Sequence, residues 1–425
     1  LKFKKTPATE KVTEAASRGA LGTLQGQALV ARQPICGASQ RTFAYELLFR
    51  RDKVSGAIID DPAKATAQVI VNSFMEIGLD RMVGQSAAFI NVSADFIMGD
   101  HCLSLPRDRV VLEILEDTVP TPELLARLRE LTAQGYQFAL DDYTFDERMT
   151  PILPFCRFVK VDVRQIAREE MIKKIADVRR LGVSLLAEKV ETVEEFEFYR
   201  DAGFQYFQGY FFCKPKIFAG AKVSTNRVSL CRLLARLQDS SITTQEVESI
   251  VGADLALSYQ LLRYINSAQL ALPRQIESIS HAVRLIGVEH IRFLASLMML
   301  ASLDDKPTEL ITTSLVRGRT CELMADRARL AGPNSFFTVG LLSTLDAFLD
   351  CSMEEALRLL PVSDAIRGAL LQQSGPMGHV LRCVLAHERA DWEALERLRA
   401  DTGALANAYY QALEFSELVY RLKVG

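Results

Sequence analysis

Along the first half of the chain, apolar and polar residues alternate in short runs separated by turn residues. One run over 28–35 and another over 42–50 flank Gly37-Ala38-Ser39-Gln40. That gap is too short for a crossover helix, so the two runs are expected to form an antiparallel hairpin. The period then lengthens, with Ala65, Val69, Ile70, Phe74 and Ile77 at helical spacing. Further strands are expected over 87–92, 110–115, 137–141, 158–162, 183–188 and 204–208, and helices over 122–132, 165–180 and 193–201. Thr121 reads as an N-cap ahead of Pro122, while Gly182 and Gly203 close the later helices. Repeated strand–helix units argue for a parallel sheet. Eight strands over residues 28–215 argue for a (β/α)8 barrel with its first strand reversed.

Beyond a linker at 216–226 the two-residue period disappears. Apolar residues recur at helical spacing over 227–237, 244–252, 254–267, 280–286, 288–303 and 310–330. Residues 227–425 are therefore expected to be all-helical. Residues 1–27, rich in Lys, Thr, Ala and Gly, read as a loosely ordered arm without the apolar region of a signal peptide.

Composition narrows the function classes. A length of 425 residues suits two domains, and 49% hydrophobic residues are ample for two cores. A net charge of −3 gives no case for general nucleic-acid binding or for an anionic membrane surface. No apolar run approaches the roughly 20 residues of a membrane span. The 8 cysteines are scattered, with no CxxC pair. That spacing argues against zinc and disulfide frameworks and for free thiols in a cytoplasm.

The chemistry lies at the strand ends. Glu46, Leu48 and Arg50 share one face of the second strand, which by itself could be a structural ion pair. Later strands finish in the same manner: Asn91, then Glu113, then Asp141 with Asp142, then Lys160 with Asp162, then Glu188 with Lys189, then Gln208. Barrel enzymes place their chemistry at the C-terminal ends of strands. An all-oxygen set beside one lysine suits Mg2+ or Mn2+, and two such ions would suit phosphodiester hydrolysis. The plainer alternative is a solvated acidic rim on a barrel without activity.

Residues 28–215 resemble the EAL domain of bacterial cyclic di-GMP phosphodiesterases. The resemblance rests on Gln33-Pro34-Ile35, Glu46-Leu47-Leu48-Phe49-Arg50, Asn91-Val92-Ser93, Glu113-Ile114-Leu115-Glu116, Asp141-Asp142-Tyr143, Lys160-Val161-Asp162, Glu188-Lys189-Val190-Glu191-Thr192 and Gln208-Gly209-Tyr210 with Lys214-Pro215. It implies that Glu46, Asn91, Glu113 and Asp141 bind a first metal and that Asp142 helps hold a second. Lys160 would contact the attacking water, and Glu188 would act as acid, base or metal-site carboxylate. Gln33, Leu48, Arg50 and Gln208 would lie on the nucleotide side of the site.

Two departures stand out. The family follows its Asp pair with a glycine-rich loop. This chain instead reads Tyr143-Thr144-Phe145-Asp146-Glu147-Arg148-Met149, so the loop cannot keep that path. Lys189 stands where the family has glycine and adds a cation beside the metal site.

The second half resembles the HDOD domain, a helical relative of the HD phosphohydrolases. The resemblance rests on Leu261-Leu262-Arg263-Tyr264-Ile265-Asn266-Ser267-Ala268 and on 279–287. Where HD enzymes carry their His–Asp ligands, this chain has Ser343-Thr344-Leu345-Asp346. A binding or protein-interaction role is expected there. His281, His290, His379 and His387 receive no role. Three readings follow. The first is a cyclic di-GMP signalling protein with a degenerate barrel and an HDOD output domain. The second is a working metal-dependent phosphodiesterase giving the linear dinucleotide. The third is a nucleotide-independent scaffold. Because family barrels pair through the altered loop region, a homodimer is one open state.

Overall fold

The computed structural model describes residues 28–51, 78–99, 101–214, 242–266, 278–288, 306–358 and 362–424, with isolated positions between 233 and 299 and at 360. The expected helix over 65–77 and most of 227–237 and 288–303 lie outside the described residues.

The hairpin forms as its alternation requires. Strand β1 (Ala28–Gly37) runs antiparallel to β2 (Thr42–Arg51), with Gln33 opposite Glu46. The remaining strands follow as β3 (Ala87–Val92), β4 (Val110–Ile114), β5 (Gln137–Leu140), β6 (Cys156–Asp162), β7 (Ser184–Glu188) and β8 (Tyr206–Gln208). β2 to β8 pair in parallel, and β8 closes on β1 antiparallel, giving a barrel of eight strands in sequence order.

Between the strands run α1 (Leu79–Val83), α2 (Ala94–Met98), α3 (Pro122–Ala133), α4 (Arg168–Arg179) and α5 (Val193–Ala202). Thr121 caps α3 by accepting from Leu124 N, as its position beside Pro122 predicts. Gly203 closes α5 at φ 103°, where a side chain would be strained. α4 starts at Arg168, three residues later than its apolar period predicts. The Asp162 carboxylate accepts from Arg164 N and from the Gln165 side chain, and this turn holds the chain out of the helix.

Period-two geometry stacks the interior in layers. Ile35, Ala44, Phe89, Val111, Ala139, Phe158 and Leu186 form one apolar tier, with the rings of Phe43 and Tyr206 packed on it. Phe43 and Tyr206 lie 4.4 Å apart between ring centroids, and Phe89 and Phe158 lie 5.1 Å apart. Moving two residues along each parallel strand reaches the next tier: Glu46, Asn91, Glu113, Asp141, Lys160, Glu188 and Gln208. On reversed β1 the same step runs backward, from Ile35 to Gln33. An apolar floor therefore carries a polar tier directly above it.

The second half is helical wherever it is described. It comprises α6 (Thr244–Ala253), α7 (Leu255–Ile265), α8 (Ile279–Ile286), α9 (Thr308–Arg327), α10 (Pro333–Leu342), α11 (Leu345–Leu349), α12 (Met353–Arg358), α13 (Asp364–Gln372), α14 (Gly375–Glu388), α15 (Trp392–Arg397) and α16 (Thr402–Val424). No described helix is long and apolar enough to cross a membrane. The outer face of the β1–β2 hairpin packs against this half. α14 and α16 touch β1, and the Glu309 carboxylate of α9 accepts from Thr42 Oγ1 at 3.0 Å and from Tyr45 Oη at 2.8 Å.

A carboxylate and lysine cluster at the barrel mouth

The polar tier converges on Lys160. Its Nζ stands 2.7 Å from Glu113 Oε1, 2.7 Å from Asp141 Oδ1, 2.9 Å from Glu188 Oε1 and 3.2 Å from Glu46 Oε2. The Lys160 and Glu113 side chains are fully buried. Asn91 Nδ2 donates to Glu46 Oε1 at 2.9 Å. Gln208 Nε2 donates to Glu46 Oε2 at 2.6 Å and to Gln33 Oε1 at 3.0 Å. Gln208 is held from behind by Gly209, whose φ is 144°; a Cβ there would lie 2.0 Å from Val190 O, so no other residue fits.

Burial and neighbouring charge pull the protonation of this cluster in opposite directions. Burial drives Glu113 well above the usual carboxylate range, and the Glu46 charge adds to it. Burial raises Asp141 in the same way, and it lifts Glu188 to about 8 despite Lys160. For Glu46, burial is outweighed by Lys160 and by the hydrogen bonds from Gln208, Lys160 and Asn91, and its pKa is lowered. For Lys160, burial is overcome by the four carboxylates around it, and its pKa is raised well above the usual value.

In kind, the donors suit a hard divalent cation. Glu113 Oε2, Glu188 Oε2, Asn91 Oδ1 and Gln208 Oε1 are buried and accept no hydrogen bond. Four carboxylates exceed the single charge of Lys160, and all the donors are oxygen. Among the described residues no three metal-ligating side chains stand together around a free point, because Nζ of Lys160 occupies the point on which they converge.

An outer pair of carboxylates lies beside this cluster. Lys189 Nζ is 2.5 Å from Asp162 Oδ2 and 3.6 Å from Asp142 Oδ1. Asp142 and Lys189 both have left-handed backbones, at φ 40° and 58°. Asp162 was named from sequence as a strand end beside Lys160 but received no role there, although it ends β6 two residues after Lys160. The clue lay in the two-residue step itself. Glu116 is exposed and stands apart from the cluster. Leu48 is half-buried on β2, and the Arg50 side chain lies outside the described residues.

The loop after Asp142 is held by two aromatic residues. Tyr143 is buried, its N–H donates to Lys160 O at 2.9 Å, and its ring lies 5.0 Å from that of Phe145. Phe145 is itself left-handed at φ 62°, where an aromatic residue is an outlier. Asp146 caps a short 3-10 turn over Glu147–Met149 by accepting from Arg148 N.

Both halves of the chain match known protein families. The model of the EAL domain matches residues 16–215, and that of the HDOD domain matches residues 225–364. The cyclic di-GMP phosphodiesterase CdgJ of Vibrio cholerae is 36% identical over 374 residues, covering 87% of this chain and 86% of that protein. YuxH of Bacillus subtilis is 32% identical over 397 residues, covering 91% and 97%. Among solved structures, a manganese and cyclic di-GMP complex of BlrP1 from Klebsiella pneumoniae matches at 21% identity and a TM-score of 0.37, covering 45% of this chain and 56% of that one.

Proposed function

Because this chain belongs to the EAL–HDOD family of cyclic di-GMP signalling proteins, we propose that its barrel mouth binds cyclic di-GMP and opens one of its phosphodiester bonds with the help of Mg2+ or Mn2+. The observation that carries this reading is the convergence of Glu46, Glu113, Asp141 and Glu188 around the buried Lys160 ammonium, with Glu113 Oε2, Glu188 Oε2 and Asn91 Oδ1 buried and accepting no hydrogen bond. Glu46, Asn91, Glu113 and Asp141 would hold the ion. When bound, it would polarise the phosphate and lower the pKa of an attacking water.

The chain's own residues supply the rest. Lys160, a permanent ammonium here, orients the water by donating to its oxygen. Glu188, raised to about 8 by burial, keeps a proton at neutral pH and can give it to the leaving ribose oxygen. The bond from phosphorus to that oxygen breaks as the bond to the water oxygen forms, the proton lost by the water passes to solvent, and a linear dinucleotide results. Gln33, Leu48 and Arg50 border the nucleotide, while Gln208 fixes Glu46. The helical half would serve as the surface for a protein partner, and the free cysteines among the described residues support a reducing compartment such as the cytoplasm.

A second reading, retention without hydrolysis, is favoured by one observation: Lys160 and Lys189 already meet much of the carboxylate charge. The purified chain incubated with Mn2+ and cyclic di-GMP separates the two. Linear dinucleotide on chromatography, reduced at least 100-fold in Glu46→Ala, supports hydrolysis. Nucleotide held by the protein without product supports retention, and neither outcome leaves the scaffold reading.

A further inference from the structure

Packing does not account for Lys189. Its side chain is 46% exposed, so burial does not hold it at the mouth. Its backbone lies at φ 58°, a conformation easy for glycine and strained for lysine. The ammonium nevertheless crosses from the end of β7 to Asp162 at 2.5 Å, with Asp142 at 3.6 Å. Asp142 is also left-handed, at φ 40°. Both partners thus sit in backbone conformations that the surrounding fold must impose.

The mouth therefore has two cationic centres. Lys160 lies inside, among Glu46, Glu113, Asp141 and Glu188. Lys189 lies outside, on Asp142 and Asp162. The buried oxygens that still lack a partner include Glu113 Oε2 and Glu188 Oε2, which belong to the inner set. In the outer pair Asp162 is already served, since its Oδ2 also accepts from Gln165 and its Oδ1 accepts from Arg164 N, while Asp142 Oδ1 is buried without a hydrogen bond and has only the Lys189 ammonium at 3.6 Å.

We propose that Lys189 is a tethered cation on the outer carboxylates, limiting this mouth to a single divalent ion held by the inner set. The proposal rests on reading the mouth as a divalent-metal site. Its physical basis is direct. A unit charge fixed by the main chain a few Å from a would-be second ion repels it, and it withdraws the oxygens that ion would need.

The test is Mn2+ titration of the full chain, followed by calorimetry and by the electron paramagnetic resonance of free Mn2+. Wild type is compared with Lys189→Gly, which suits the backbone and removes the charge. A second variant, Lys189→Met, keeps the stem and removes the charge alone. Wild type is expected to take one ion per chain. Both variants are expected to take a second, at least tenfold tighter than any second ion in wild type. Two ions of equal affinity in all three proteins would overturn the proposal and leave the metal reading standing. A second ion in Lys189→Gly but not in Lys189→Met would also overturn it, because backbone and not charge would then be the cause. No Mn2+ in any of the three would overturn both the proposal and the metal reading.

Discussion

At the scale of single residues, burial shifts protonation outside the barrel mouth too. His387 on α14 is fully buried, its two ring nitrogens make no hydrogen bond, and its ring lies 4.7 Å from that of Tyr409 and 5.8 Å from that of Trp392. Burial lowers its pKa to about 4. Below the unfolded value near 6.5, the unfolded chain takes up a proton that the folded chain refuses. The neutral ring therefore contributes stability above about 6.5 that is lost as the pH falls toward 4, on the order of 3 kcal/mol in all. Melting temperature measured between pH 7 and pH 4 should fall less steeply in His387→Leu than in wild type; parallel curves would refute this account. None of this was legible in the sequence, where His387 received no role. One histidine on an apolar helix face carries no mark of whether its nitrogens find partners. Glu46, Glu113, Asp141, Lys160 and Glu188 were legible for the opposite reason, since each ends an apolar alternation and so had to point into the barrel.

At the scale of elements, the segment after Asp142 shows where sequence reasoning reached its limit. Loss of the family's glycines implied a changed path; in this chain Asp142 and Phe145 take left-handed conformations that glycine adopts without strain. The sequence did not show what replaces the glycines. Tyr143 pins the loop under the core and ties its own N–H to β6 beside Lys160. Aromatic anchoring depends on tertiary packing and leaves no local pattern. Tyr143→Ala should cost about 3 kcal/mol of stability in denaturant unfolding. It should also weaken Mn2+ binding more than tenfold, since a shift of about 1 Å in Asp141 disrupts a ligand set. Unchanged Mn2+ affinity in a folded Tyr143→Ala protein would show that Asp141 is positioned without this ring. The hairpin was legible because a four-residue turn between alternating runs permits only antiparallel pairing. The start of α4 was not, because the Asp162 turn competes with a good helical period.

At the scale of the whole molecule, the helical half and the barrel share a buried polar boundary that neither domain's pattern foretold. Arg32 stacks over the Tyr45 ring at 4.2 Å and donates to Met82 O at 2.8 Å. Glu309 accepts from Thr42 and Tyr45. Arg317 holds Glu388 through Nε, at 3.1 and 2.9 Å from its two oxygens. At the exposed edge of this boundary Arg81 pairs with Glu414. A cavity of about 30 Å3 remains between Arg32, Tyr210, Glu309, Glu388 and Tyr409, enough for a water or two. Removing the acceptor strands two hydroxyls, so Glu309→Ala should cost about 2–4 kcal/mol. Thermal unfolding of the full chain should show it, and a shift no larger than that of an exposed Glu354→Ala control would refute it. From sequence, Tyr45 reads only as the strand face opposite Glu46, and alternation puts Thr42 on the Glu46 face; the register shift between Ile35 and Cys36 breaks that alternation, and outward positions of a barrel are ordinarily met by its own helices.

The reversed first strand has a consequence for descent. Because β1 and β2 are joined by a turn and no crossover helix, their outer face is finished by another domain. Arg32, Thr42 and Tyr45 face that domain, while their neighbours Gln33 and Glu46 face the mouth. Each half therefore carries part of the other's interior. An exchange of either half for a foreign relative must bring the matching face with it, so the two halves are bound to change together along a lineage.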